Sequence, residues 1–170
     1  MAKALLVIDM QNICVGKDSA PFFQYDKEKL LADVNLAIAN NSNNLVVYIK
    51  NIMPDNFLNR HFAPFKAFDN TPATELVDGL KVVSDHIVKK YKGDAFTNPD
   101  LLKLLQDNHI TEVELVGVDG GGCVALTALG SVKHGFKVIL NTVAIGTTPA
   151  FAKKQQKYFE QLQKSGAQFI

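Results

Sequence analysis

The sequence predicts an α/β domain built on a largely parallel sheet. Short apolar runs alternate along the chain with stretches of helical periodicity, the pattern of successive strand–helix units. Runs such as Ala4 to Ile8 are apolar at every position, as expected of strands covered on both faces. A chain of 170 residues, 47% of them apolar, can bury one sizeable core, so one domain is expected over residues 1–170.

Ala4 to Ile8 is the first predicted strand, and Asp9 ends it. Lys27 to Asn40 carries Leu30, Leu31, Val34, Ala37 and Ile38 at helical spacing, and Asn40 to Asn44 is a turn signal. Leu45 to Ile49 reads as the second strand. Residues 50–80 show no clear period and hold Pro54, Pro64 and Pro72 among Phe57, His61, Phe62, Phe65 and Phe68, which suits a functional loop or lid. His86 to Lys89 reads as a short strand. Asn98-Pro99-Asp100 is a helix start, with Asn98 as N-cap and Pro99 at the first position. Leu101, Leu102, Leu104 and Leu105 give that helix its apolar face. Val113 to Val116 is the next strand, followed by GVDGGGCV (Gly117–Val124) and a helix whose first turn presents Cys123. Phe136 to Leu140 is a strand, Ala150 to Lys164 a polar helix, and Ala167 to Ile170 a last short strand.

Eighteen basic residues stand against seventeen acidic ones, a net charge of +1, so no basic surplus points to nucleic acid. The apolar start of the chain is short and broken by Asp9, which argues against a signal peptide or a membrane span. With two cysteines, Cys14 and Cys123, the expectation is a cytoplasmic protein with free thiols.

Parallel α/β sheets bind ligands outside the carboxyl ends of their strands. Three reactive groups fall there: Asp9, Cys123, and the pair Lys89 and Lys90. A thiol at a helix N-terminus sits in a partial positive field beside unpaired N–H groups, which favours the thiolate. Taken singly, each has a plainer reading. Cys123 could be a small packed residue, Asp9 a loop cap, and either lysine part of a solvated basic patch with Lys81 and Lys92. Taken together, they supply a nucleophile, a base and electrostatic support.

The segments ALLVIDMQN (Ala4–Asn12), KYKGDAF (Lys90–Phe96) and GVDGGGCV, followed by Thr127-Ala128 and Gly135, resemble the isochorismatase-like cysteine hydrolases, which include nicotinamidases and related amidases. The implied fold is a three-layer α-β-α, Rossmann-like arrangement with a six-stranded, mostly parallel sheet. The family's fixed interval before Ala95-Phe96 selects Lys90 as its lysine, with Asp9 as acid and Cys123 as nucleophile. The resemblance further implies a cis peptide at Val118–Asp119 and an oxyanion held by the N–H groups of Asp119 and Cys123. In the implied mechanism Lys90 keeps Asp9 and Cys123 charged, and an amide is cleaved through a covalent acyl-enzyme. Cys14, Phe96 and Gly122 fall at the implied substrate pocket.

Asn51-Ile52-Met53-Pro54 stands where metal-binding nicotinamidases carry an Asp-x-His pair, so neither a metal nor another cofactor is expected. This also draws nicotinamide into question as substrate. Cys14 stands where relatives carry a pocket phenylalanine. It reads as a small apolar residue, with an oxidative Cys14–Cys123 crosslink as the sharper alternative. Gly120-Gly121-Gly122 replaces bulkier residues and is expected to widen the site or loosen the loop. The expected partner is a small-molecule substrate rather than nucleic acid or membrane, in a homo-oligomer, dimer or larger. Three rival readings stay open. One is a dinucleotide-binding turn, Gly120-x-Gly122-x-x-Ala125 with Asn141 as ribose partner. The others are an isochorismatase-type ether hydrolase and a non-catalytic binding module.

Overall fold

The computed structural model describes residues 2–63 and 65–170, so Pro64 of the expected loop lies outside the described residues. The strands are β1 (Ala2–Ile8), β2 (Leu45–Asn51), β3 (Ile87–Lys90), β4 (Ile110–Val118), β5 (Lys137–Gly146) and β6 (Gln168–Phe169). The helices are α1 (Asn12–Val15), α2 (Lys27–Asn40), α3 (Phe57–Phe62), α4 (Pro99–Asp107), α5 (Cys123–Lys133) and α6 (Ala152–Lys164). The strands form one sheet in the order β3-β2-β1-β4-β5-β6, and every pairing is parallel. All carboxyl ends therefore share one edge, and the order reverses between β1 and β4, where such sheets open a crevice.

Alternation along β1 divides the core into two layers. Leu5 and Val7 pack with Val34 and Ile38 of α2 on one face. Leu6 and Ile8 pack on the other with Leu101 and Leu105 of α4, Val124 and Ala128 of α5, and Leu162 of α6. The side-chain oxygens of Asp26 and Asn98 accept from the backbone N–H groups of Lys29 and Asp100, so α2 and α4 begin at capped turns. No helix among the described residues is long and apolar enough to cross a membrane.

The structure departs from the sequence pattern in two places. First, β5 runs well past Leu140, because Asn141 and Thr142 stay extended and pairing with β4 resumes after a register shift, Gly117 facing Ile145. Asn141 therefore lies within a strand, its Nδ2 donating to Glu114 Oε1 at 2.9 Å. It is not at a strand end where a ribose could reach it, so the dinucleotide reading loses its partner residue. Second, α3 lies inside the segment expected to be irregular. Asn56 caps it and Asp55 pairs with Arg60 beside it, while Phe57, Leu58 and Phe62 are exposed. An apolar face turned outward leaves no buried period to read.

Glu114, buried in β4, accepts from Lys3, Asn41 and Asn141. Burial works against its charge, but these donors and the Lys3 charge outweigh it and hold the carboxyl below its ordinary value. A depressed native pKa gives stability that is present above the unfolded pKa and lost as pH falls through the native one. Glu114→Gln is expected to flatten that part of the acid dependence in melting curves taken from about pH 3 to pH 7.

Candidate active site

Asp9 follows β1 with φ of 54°, in the left-handed region that L-residues adopt rarely and mostly where the surroundings impose it. Its N–H donates to Ile49 O at 2.9 Å, which ties the turn to β2. Lys90 is the last residue of β3 and is 1% exposed. From the sheet's edge its ammonium passes the end of β2 and donates to Asp9 Oδ2 at 2.9 Å, Asn51 Oδ1 at 3.0 Å and Cys123 Sγ at 3.1 Å. Three donors meet three acceptors, so the buried cation is fully paired. Asp9 Oδ1 is buried without a hydrogen-bond partner among the described residues, and the carboxyl lies beside the Cys123 thiol.

Cys123 opens α5, and its N-cap is Gly122, which carries no capping side chain. Among the described residues, the N–H groups of Asp119 and Cys123 have no acceptor in the protein. The Val118–Asp119 peptide is cis. The Asp119 carboxylate is held by the N–H groups of Gly121 at 2.8 Å and Thr148 at 2.7 Å.

Burial raises the pKa of Asp9, against the pull of Lys90 and Cys123. Burial also pushes the Cys123 thiol up to about 12, with the Asp9 charge adding to it and Lys90 opposing. Burial disfavours the Lys90 charge as well, but Asp9 and Cys123 outweigh it and its pKa rises. Desolvation and the Asp9 charge thus oppose the thiolate that the resemblance implies, while Lys90 favours it. Alkylation of Cys123 by iodoacetamide is expected to keep rising past about pH 10, where an ordinary thiol has levelled off. A plateau near pH 7 would contradict this.

A cavity of about 290 Å³ opens beside these groups. Asp9, Asp119, Gly122 and Cys123 line its reacting end, and Ile13, Cys14, Phe22, Phe23, Phe65 and Phe151 line the rest. The rings pack on one another, with Phe22–Phe151 centroids 5.4 Å apart and Phe23–Phe65 centroids 5.2 Å apart. Cys14 lines the cavity, its carbonyl accepting from the Tyr25 hydroxyl, and both cysteines are free thiols.

The isochorismatase domain family matches residues 3–170. The chain belongs to this family. Uncharacterized isochorismatase family protein YddQ of Bacillus subtilis (strain 168) is 26% identical over 149 residues, 87% of this chain and 79% of that protein. The pyrazinamidase of Pyrococcus horikoshii, solved in complex with zinc, superposes with a TM-score of 0.84 at 25% identity, covering 100% of this chain and 99% of that one. The N-carbamoylsarcosine amidase of Thermoplasma acidophilum shares the fold, with a TM-score of 0.78 at 24% identity over 99% of this chain and 95% of that one. The protein is thus a hydrolase of the isochorismatase-like family.

Among the described residues, this isochorismatase domain does not offer a metal's donor set. Asn51 Oδ1 accepts from Lys90, and Met53 lies in a backbone bridge to Phe68. His61 is exposed on α3 with its Nδ1 at Phe57 O. No group of three or more His, Cys, Asp or Glu among the described residues is placed to hold an ion.

Two expectations need correction. Phe96 does not line the cavity. The turn Ala95–Thr97, capped by Asp94, aims its ring away, toward His134 and Phe136. The glycines do not loosen the loop either. A Cβ on Gly121 would lie 2.3 Å from the Phe151 carbonyl oxygen, and one on Gly120 would lie 2.3 Å from Thr147 Oγ1. Their bareness lets residues 145–155 close on the loop. Only Gly122 faces the cavity, with ordinary room for a Cβ. Gly121→Ala is expected to cost roughly 1–3 kcal/mol by overpacking. Gly122→Ala should melt within a few degrees of the parent, a contrast that thermal denaturation will read.

Sequence reasoning did not single out Gln11, Phe22, Phe23 or Phe151. Gln11 is fully buried and ties β2 to the loop at Thr74. Its Nε2 donates to Asn51 O at 3.2 Å and Thr74 O at 3.0 Å, while its Oε1 accepts from Asn51 N at 2.8 Å. The one available signal was its place in the segment that carries the resemblance.

Proposed function

We propose that this isochorismatase-family hydrolase is a cysteine hydrolase of a small molecule's amide-type C–N bond. The observation that carries the reading is one buried ammonium bonded at once to a carboxylate and a thiol, at the head of a helix, beside a cavity.

Asp9 takes the Cys123 proton as sulfur attacks the carbonyl carbon. The N–H groups of Asp119 and Cys123, free of other acceptors, face the oxygen on which charge develops. Asp9 hands its proton to the departing nitrogen, so a carboxamide and the thiol become a thioester and ammonia. Water, deprotonated by Asp9, then converts the thioester to acid and thiol. Lys90 stays protonated throughout and offsets the negative charge that moves between carboxylate and sulfur. On this route the thiol proton moves as a carbonyl arrives to take the sulfur.

The test is intact-mass spectrometry of protein quenched during turnover of a primary amide library. An adduct equal to the acyl group, absent from Cys123→Ala, is expected. Ammonia release without any adduct, equal in wild type and variant, would sink the proposal. The exposed Phe57, Leu58 and Phe62 of α3 support the further proposal of a homo-oligomer, which light scattering of the purified protein tests.

A further inference from the structure

Most polar groups along the cavity wall are already committed to one another. Both oxygens of Asp119 accept from backbone N–H groups. The Gln11 amide is spent on Asn51 and Thr74, and Asn51 Oδ1 on Lys90. What remains free lies at the reacting end: Asp9 Oδ1, the Cys123 thiol, the N–H groups of Asp119 and Cys123, and the Asn51 Nδ2 beside Lys90. Beyond them the wall is mostly hydrocarbon, from Phe22, Phe23, Phe65, Phe151 and Ile13, with the weakly hydrogen-bonding Cys14 thiol among them. Among the described residues no Lys, Arg or His lines it: Lys90 stands behind Asp9 and Cys123, and Lys154 sits over the Phe151 ring.

A carbonyl can thus be fully served at one end, while the rest of the acyl group meets hydrocarbon. A ring nitrogen, hydroxyl or carboxylate there would lose its water and gain no strong partner, and a carboxylate would also face Asp119 and Asp9. The volume, about 290 Å³, is close to twice the roughly 150 Å³ of an apolar cavity that binds benzene. It holds one ring, or a short branched chain, together with its carboxamide.

Building on the amidase reading, we infer that the substrate is a small carboxamide whose acyl group is uncharged and carries no hydrogen-bonding atom, an arene or compact aliphatic amide rather than a pyridine carboxamide.

The experiment compares kcat/KM for ammonia release from benzamide, isovaleramide, nicotinamide, succinamate and trimethylammonioacetamide. Calorimetric binding of the same compounds to Cys123→Ala is measured alongside. Benzamide or isovaleramide is expected to exceed nicotinamide and both charged amides by about tenfold or more in each measurement. Nicotinamide or a charged amide equal to or above the apolar ones in either measurement overturns the inference. Turnover that favours nicotinamide would leave the amidase reading standing and remove this one. Apolar preference in binding without turnover of any amide would do the reverse.

Discussion

Cys123→Ala is expected to release ammonia at about 10⁻⁴ of the wild-type rate or less, as when the nucleophile of a catalytic unit is removed. The argument is positional. Sγ is the acceptor of a 3.1 Å bond from a cation buried among acceptors, and it lies at the head of α5 beside two free N–H groups. No second nucleophile replaces it. Cys14 shares the cavity, but burial, then the charges of Asp9 and Cys123, push its thiol well up, and Lys90 bonds to Cys123 rather than to it. The variant should melt within a few degrees of the parent, because the atom lost is small and its loss relieves a crowded polar cluster. Activity retained at more than one hundredth of wild type would move the chemistry away from this thiol.

Lys90→Met is expected to show the other large effect, and on two readouts. Methionine keeps the length of the side chain and removes the charge. Asp9, 3% exposed, would be left in the interior without its cation. Breaking a buried pair from one side costs about 3–5 kcal/mol. At roughly 2–4 °C per kcal/mol for a chain of this size, Tm should fall by about 6–20 °C. The sign of the pH dependence follows. Without Lys90 the Asp9 carboxyl rises further above its unfolded pKa, so the folded state binds more protons and the deficit shrinks as pH is lowered. The double variant Asp9→Asn/Lys90→Met should recover much of the stability and none of the activity, which separates the structural debt from the catalytic one. A single variant that melts with the parent at neutral pH would show that the pair is not buried as described.

Much of this architecture can be read from the chain because a parallel sheet covered on both faces writes itself as continuous apolar runs. Ala4–Ile8 is such a run and Val113–Val116 is one broken only by Glu114; Asp9 follows the first directly, and Cys123 follows the second across a glycine turn. The runs stop being informative where a strand is polar. Asn141 and Thr142 continue β5 but break its pattern, since what holds them extended is β4, not their own hydropathy. Lys90 shows the same limit at the site. Lys89 and Lys90 are chemically alike and adjacent, yet successive side chains point to opposite faces. One ends in a half-exposed pair with Asp69, the other under β2 with Asp9. Only the interval to Ala95-Phe96 separated them. Asn51 looked like a lost metal ligand, whereas its function in this fold is to complete the lysine's coordination from 39 residues away. Phe22 and Phe151 enter the cavity from distant loops, and Phe96, part of a segment that carries the resemblance, does not enter it at all. No local pattern encodes those placements, which come from how the loops close on one another.

The contact between Gly121 and residue 151 bears on how such a protein can change over time. The atom that forbids a side chain on Gly121 most strongly is the main-chain oxygen of residue 151, so the glycine fixes where the chain runs there. The ring of Phe151 reaches beyond that contact to the cavity wall. Random variation at positions 22, 65 and 151 should therefore resculpt the chamber while the Asp9, Lys90 and Cys123 cluster stays in register. A library limited to those three positions would sample new substrate preferences from a scaffold that keeps its chemistry.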